Sequence, residues 1–146
     1  MLILVDTNIL LRFHEPTAPE YRMLRGVVNR LIRRGELPCF VPQNAVEFWN
    51  VCTRPVVNNG FGLTPAETSS RLLSLETTFR FLRDSDRIHE IWKDLVVRHS
   101  VRGAQVHDAR LVAAMMSHGV ERLLTFNGKD FRRYGIEVVE PQEVGA

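Results

Sequence analysis

The stretch Met1-Leu-Ile-Leu-Val5-Asp6-Thr7-Asn8 decides the fold, because an uninterrupted aliphatic run ends abruptly at an acid. Such a short run is typical of a parallel strand that is buried on both faces. Thr7 and Asn8 can cap a short helix that follows. Ligands of a parallel sheet bind beyond the carboxyl ends of its strands. Asp6 stands at such an end and is therefore the first candidate site residue.

Strand and helix patterns alternate along the whole chain, which predicts an α/β sandwich around a mostly parallel sheet. Strands are predicted at residues 2–5, 39–41, 78–82, 122–126 and 136–139. Capping signals at residues 17–20, 64–67 and 84–86 open three helices, and further helices are predicted at 43–53 and 106–118. In the helix at 43–53, Val46 and Trp49 are expected to face inward, with Phe48 a third candidate.

Length and composition predict one soluble domain over residues 1–146. The chain is 45% apolar and 25% charged, and its net charge of +2 creates no general attraction for nucleic acid. Cys39 and Cys52 lie in apolar segments without a metal-site spacing partner, so we expect buried free thiols. Neither a secretory signal nor a membrane-length apolar segment is recognised, and we expect a cytoplasmic protein.

Three acids lie at predicted element boundaries or on first helical turns: Asp6, Glu47 and Asp108. If the fold gathers them, their carboxylates repel one another and require a cation between them. Ligand sets made only of oxygen favour Mg²⁺ or Mn²⁺ over Zn²⁺. Taken singly, each acid also has a purely structural explanation: Asp6 as a helix cap, Glu47 as a solvated helix acid and Asp108 as a helix N-terminal charge. Metal-dependent phosphoester chemistry is therefore a hypothesis about the three together.

Other catalytic templates fit less well. The chain has no Walker-type phosphate loop, no Gly-x-Gly-x-x-Gly and no Gly-x-Ser-x-Gly. Both cysteines sit in apolar segments, which argues against a cysteine nucleophile. A phosphatase of another α/β family remains an alternative, which a metal-dependent assay with RNA beside a phosphomonoester would separate.

Four motifs in this order resemble the PIN-domain family, specifically its VapC-type toxin ribonucleases. The resemblance covers nearly the whole chain. The motifs are Asp6-Thr-Asn8 after the first strand, Pro42-Gln-Asn-Ala-Val-Glu47-Phe, Val106-His-Asp108-Ala-Arg-Leu, and Leu123-Leu-Thr125-Phe-Asn127-Gly-Lys-Asp130-Phe131.

The resemblance implies a PIN-like three-layer sandwich with helices on both faces of the sheet. It also implies an endoribonuclease dependent on Mg²⁺, for which Mn²⁺ can substitute. Asp6, Glu47 and Asp108 would hold the metal, and Thr7, Asn8 and Thr125 would orient carboxylates or water. The implied partners are an RNA substrate, a small cognate antitoxin and a second copy of the chain in a homodimer.

One departure from the family pattern concerns the fourth ligand position. Many members carry an acid two residues after the threonine of the last motif, where this chain has Asn127, with Asp130 three residues further. We expect Asn127 to reach the sheet edge and to orient a water through its amide oxygen, and Asp130 to cap the turn that presents Phe131. Either residue can fill the fourth position.

The sequence leaves other roles open for the same fold. They are a nuclease of RNA processing, a structure-specific DNA nuclease and a non-catalytic RNA-binding module. The presence of Asp6, Glu47 and Asp108 argues against the last. Two predicted helices also carry more apolar residues than one buried stripe requires, which predicts a homodimer face or an antitoxin groove. The residues concerned are Tyr21, Leu24, Leu72, Leu73 and Leu75.

Overall fold

The computed structural model describes residues 1–145, which form five β-strands and seven α-helices. The strands are β1 (Leu2–Val5), β2 (Leu37–Phe40), β3 (Arg80–Phe81), β4 (Arg122–Leu124) and β5 (Glu137–Val139). The helices are α1 (Thr7–Phe13), α2 (Tyr21–Arg33), α3 (Pro42–Thr53), α4 (Pro65–Thr78), α5 (Ile88–Arg98), α6 (Gln105–Ser117) and α7 (Pro141–Val144). Short 3₁₀ turns cover Val56–Asn58, Gly128–Asp130 and Arg132–Tyr134.

The five strands form one sheet in the order β3-β2-β1-β4-β5, and every neighbouring pair is parallel. Strand β1 is central, and its Leu4 lies opposite Cys39 of β2 and Leu123 of β4. The strands that flank β1 therefore end at the same edge as Asp6. The predicted α/β fold with a parallel sheet is confirmed.

Helices cover both faces of the sheet. Along β1, Ile3 and Val5 belong to one buried cluster and Leu4 to the other, as the two-residue repeat of a strand requires. The first cluster draws its helical residues from α1, α2, α3, α4 and α7, and the second from α5 and α6. This three-layer arrangement explains why β1 is apolar at every position from Leu2 to Val5.

The helix predicted to open at residues 17–20 starts later. Helix α2 begins at Tyr21, and Glu20 precedes it without a side-chain capping bond. The hydroxyl of Thr17 instead donates to the carboxylate of Glu15 over 2.9 Å. The other oxygen of that carboxylate pairs with Arg71 at 2.8 Å. The predicted cap was wrong because residues 16–20 form turns and a bend, so Thr17 lies four residues before the first residue of α2.

The cap predicted at residues 84–86 is also displaced. Arg87 precedes α5 without a side-chain capping bond, and Asp84 pairs with Arg110 over 3.5 Å. The box at Thr64 and Glu67 is confirmed, since each side chain accepts the other's backbone N–H at 3.1 Å.

Two predicted apolar faces differ from the structure. Val46 was expected to face inward, but it is 70% exposed, because the buried side of α3 carries Phe48 and Cys52 one turn apart. Of the residues predicted to form a partner surface, Leu24 and Leu75 are fully buried in the protein's own core. Leu73 is 62% exposed and remains available to a partner.

Both cysteines are free thiols in the core, as predicted, and burial raises the pKa of Cys39 to about 12 and that of Cys52 to about 11. Within residues 1–145, each helix is too short or too polar to cross a membrane.

Candidate active site

Asp6 is the buried centre of the site, with only 8% of its surface exposed. It ends β1 and caps α1, because its Oδ1 accepts the backbone N–H of Thr7 at 2.8 Å. Its Oδ2 accepts the hydroxyl of Thr125 at 2.7 Å, and its own N–H donates to the carbonyl of Leu124. The two neighbouring strands β1 and β4 therefore fix this carboxylate together.

Thr125 is fully buried directly after β4. Its hydroxyl donates to Asp6 and accepts the backbone N–H of Asn127 at 3.0 Å. The single hydroxyl proton is thus committed to the carboxylate. Thr125 holds Asp6 in one orientation and also shapes the turn that leads to Asp130.

Glu47 lies one turn into α3 and is partly buried. Its Oε1 accepts the hydroxyl of Thr7 at 2.7 Å, and its Oε2 accepts the side-chain amide of Gln43 at 3.1 Å. Thr7 follows Asp6 in the chain, so its hydroxyl links the second acid to the first. The sequence-predicted residues Asp6, Thr7 and Glu47 thus lie in one hydrogen-bonded chain.

Asn44 is a fully buried polar residue of the site that sequence reasoning missed. Its Oδ1 accepts the N–H of Val41 at 2.9 Å, and its Nδ2 donates to the carbonyl of Val5 and to the hydroxyl of Thr7. Since Nδ2 occupies an acceptor site of Thr7, the hydroxyl proton of Thr7 points to Glu47. The signal was an amide at the start of a helix, three residues before a candidate acid.

Asp108 lies in the first turn of α6 and is partly buried. Burial raises the pKa of Asp108 to about 6, with further contributions from the negative charges of Asp6, Asp130 and Glu47. The nearby His107 acts in the opposite direction. The negative charges of the three sequence-predicted acids and of Asp130 therefore interact at the carboxyl edge of the sheet.

Burial also raises the pKa of Asp6. The hydrogen bonds from Thr125 and Thr7 oppose this effect, whereas the charges of Glu47 and Asp130 add to it. The ion pairs described within residues 1–145 include none of these four carboxylates. Their negative charge is therefore not neutralised by a neighbouring arginine or lysine at salt-bridge distance.

The two candidates for the fourth position differ in placement. The side chain of Asn127 is exposed, while its backbone N–H turns inward to Thr125. Asp130 ends the 3₁₀ turn Gly128–Asp130 and is partly buried, and its charge acts on both Asp6 and Asp108. The charge coupling favours Asp130 over Asn127 for this position.

Asn8 takes a smaller part in the described contacts. Its carbonyl accepts a guanidinium N–H of Arg12 at 3.0 Å, and its side-chain Oδ1 is buried without a hydrogen-bond partner. An unpaired buried oxygen is costly unless a donor or a cation completes it.

The donor set fits a hard divalent cation. It consists of carboxylate oxygens, with hydroxyl and amide groups behind them, and the excess charge is partly buried. As they stand, no three His, Cys, Asp or Glu side chains within residues 1–145 are arranged to hold a metal ion.

An open cleft of about 530 Å³ adjoins Glu47. Its walls come from α3, from α6 and from Asp84 in the segment between β3 and α5. The α3 and α6 residues include Gln43, Asn50, His107 and Arg110. A larger cavity of about 610 Å³ lies between α1 and the end of α3, and none of the four acids lines it. Of these two cavities, the cleft beside Glu47 is the one that a candidate acid lines.

The chain matches the family model of the PIN domain over residues 3–137. No curated protein matches it. The match spans all four candidate acids and the whole of strands β2, β3 and β4.

Several solved structures share this fold. VapBC2 from Rickettsia felis, bound to a DNA fragment from its promoter, is 13% identical with a TM-score of 0.71, covering 96% of this chain and 98% of that one. VapC20 from Mycobacterium tuberculosis, a toxin that cleaves the sarcin-ricin loop, is 21% identical with a TM-score of 0.66, and the match covers 92% of this chain and 95% of that one. A toxin–antitoxin complex from Klebsiella pneumoniae is 23% identical with a TM-score of 0.64, and the match covers 95% of this chain and 97% of that one.

Proposed function

The chain belongs to the PIN domain family, and from this we propose that it is a metal-dependent endoribonuclease and the toxin of a VapBC-type toxin–antitoxin pair. The observation that carries the proposal is the group of four coupled acids, Asp6, Glu47, Asp108 and Asp130, at the carboxyl edge of the sheet. PIN-domain toxins are nucleases, and PIN nucleases generally use divalent metal ions.

In this proposal Asp6, Glu47 and Asp108 hold the metal, and Asp130 completes the set. A bound Mg²⁺ or Mn²⁺ would polarise the scissile phosphate and make water a stronger nucleophile. Thr125 and Thr7 keep the carboxylates of Asp6 and Glu47 oriented. Fixed orientation matters because the hydrogen-bond partners of metal-ligating groups hold those groups in the arrangement that binds the ion.

The preference for RNA and for a toxin role rests on the similar structures. VapC20 is a toxin that cleaves the sarcin-ricin loop, and the similar structure from Klebsiella pneumoniae is a toxin–antitoxin complex. We propose that this chain likewise acts on RNA, binds a small antitoxin and forms a homodimer. The exposed side chains of Leu73 and Val46 offer apolar surface for such partners.

The test is a cleavage assay with purified protein on total bacterial RNA. Wild type and Asp6→Asn are compared with Mg²⁺, with Mn²⁺ and with excess chelator. We expect discrete RNA products from the wild type, loss of cleavage in chelator, recovery on adding metal and no cleavage by Asp6→Asn.

Parallel reactions decide between the alternatives. Cleavage of branched or single-stranded DNA, but not RNA, would identify a DNA nuclease. Hydrolysis of a phosphomonoester alone would identify a phosphatase, and RNA binding without cleavage would identify a binding module. Full RNA cleavage in excess chelator would overturn the metal mechanism.

A further inference from the structure

Gln43 joins the helices that carry Glu47 and Asp108. It lies in the first turn of α3, one turn before Glu47, so both side chains share a face of the helix. Its Nε2 donates to Glu47 Oε2 at 3.1 Å and to the backbone carbonyl of His107, the residue before Asp108, at 2.7 Å. One amide group therefore touches both acid-bearing segments.

The orientation of this amide is determined by its neighbours. The two acceptors, a carboxylate and a carbonyl, require the NH₂ group on their side. On the other side, Nη1 of Arg110 donates to Oε1 of Gln43 at 3.2 Å. All the polar atoms of the amide are thus paired in one consistent direction.

Arg110 anchors the amide from α6. Its guanidinium contacts Gln43 and, more loosely, Asp84 at 3.5 Å, where the Asp84 side chain is 44% exposed. An exposed pair of this kind contributes little. The contact with Gln43 therefore gives Arg110 its defined position beside the cleft.

From these contacts we propose that Gln43 is a positioning residue, which sets the distance and orientation of Glu47 relative to Asp108 and so tunes metal affinity. This inference rests on the proposed metal site. Without Gln43, Glu47 retains only the Thr7 hydroxyl, and its second oxygen is free to turn into the open cleft. Loss of groups that orient metal ligands typically lowers affinity by about tenfold to a hundredfold.

The test measures Mn²⁺ affinity by calorimetry or by electron paramagnetic resonance, with no substrate present. We compare wild type, Gln43→Leu and the matched control Gln142→Leu, whose exposed glutamine donates to Glu140 at 3.4 Å. We expect Gln43→Leu to weaken Mn²⁺ binding by about tenfold or more, with Gln142→Leu unchanged. Arg110→Gln, which leaves α3 intact, should give a smaller loss in the same direction.

A double-mutant cycle tests whether Gln43 affects Mn²⁺ affinity through Glu47. Because Gln43 is proposed to act through Glu47, Gln43→Leu should have little further effect on Mn²⁺ affinity in a Glu47→Gln background. Equal losses in both backgrounds, or wild-type affinity in Gln43→Leu, would overturn the role of Gln43 while leaving the nuclease proposal standing. Absence of Mn²⁺ binding to the wild type would instead overturn the metal site itself, and this inference with it.

Discussion

Substitutions of Thr125 can separate two effects of its side chain: the hydrogen bond that orients Asp6 and the packing of its methyl group. Thr125→Val keeps the shape of a fully buried side chain and removes the hydroxyl that donates to Asp6 Oδ2 at 2.7 Å. Thr125→Ser keeps the hydroxyl and removes a methyl group. The two variants therefore delete different halves of the same side chain.

The two substitutions should lower the free energy of unfolding by different amounts. Hydrogen bonds to charged groups contribute about 1.5–3 kcal/mol, so Thr125→Val should lower the free energy of unfolding by about 2 kcal/mol. The lost methyl group of Thr125→Ser should cost about 1 kcal/mol through reduced burial. The N–H of Asn127 also loses its acceptor in the valine variant, but it lies near the surface, where water can replace the hydroxyl.

Metal affinity should distinguish the variants more clearly than stability. We expect Thr125→Val to weaken Mn²⁺ binding by about tenfold or more and Thr125→Ser to bind as the wild type does. Chemical denaturation without metal gives the stabilities, and Mn²⁺ titration gives the affinities. If Thr125→Val binds Mn²⁺ normally, or if both variants lose affinity equally, Thr125 does not orient Asp6 for metal.

Further expectations concern His14, Asp108 and the fourth position. His14 is 6% exposed and burial lowers its pKa from 6.5 to about 4, so the unfolded chain takes up the proton first and stability falls as pH drops from 6.5 towards 4. Between pH 7 and pH 5 this group should cost the wild type about 2 kcal/mol, a component that denaturation curves of His14→Phe should lack. Without metal, Asp108→Asn should raise the melting temperature at pH 7.5, because the raised pKa of Asp108 means that folding disfavours its charged form. If the melting temperature is unchanged or lower and turnover is intact, Asp108 serves only as a negative charge at the start of α6. Asp130→Asn should weaken Mn²⁺ binding more than Asn127→Ala does, and the reverse order in a Mn²⁺ titration would assign the fourth position to Asn127.

Much of the fold could be predicted because its determinants are local in sequence. The aliphatic run that ends at Asp6 predicted a buried strand, and in the structure Ile3, Leu4 and Val5 of this strand have no exposed surface. The box at Thr64 and Glu67 formed as expected because both of its hydrogen bonds close within four residues.

Predictions failed where the local pattern does not determine the first residue of a helix or the face that the helix buries. Thr17 was expected to cap a helix, but turns and a bend separate it from Tyr21, where α2 begins, and its hydroxyl donates to Glu15. Val46 was expected in the core, but the phase of α3 is set by the packing of Phe48 and Cys52. A sequence pattern gives the period of a helix more reliably than the direction of its buried face.

The sequence by itself determined the acids at the strand end and on the helices, and their order along the chain. Only the tertiary structure decided which groups orient them. The side chains of Asn44 and Thr125 are fully buried, and each derives its role from a partner more than 35 residues away, at Thr7 and Asp6. The charge of Asp130 reaches Asp6 because β1 and β4 pair in parallel and end together. Hydrogen bonds and charge coupling act over a few ångströms of space, and sequence separation does not measure that distance.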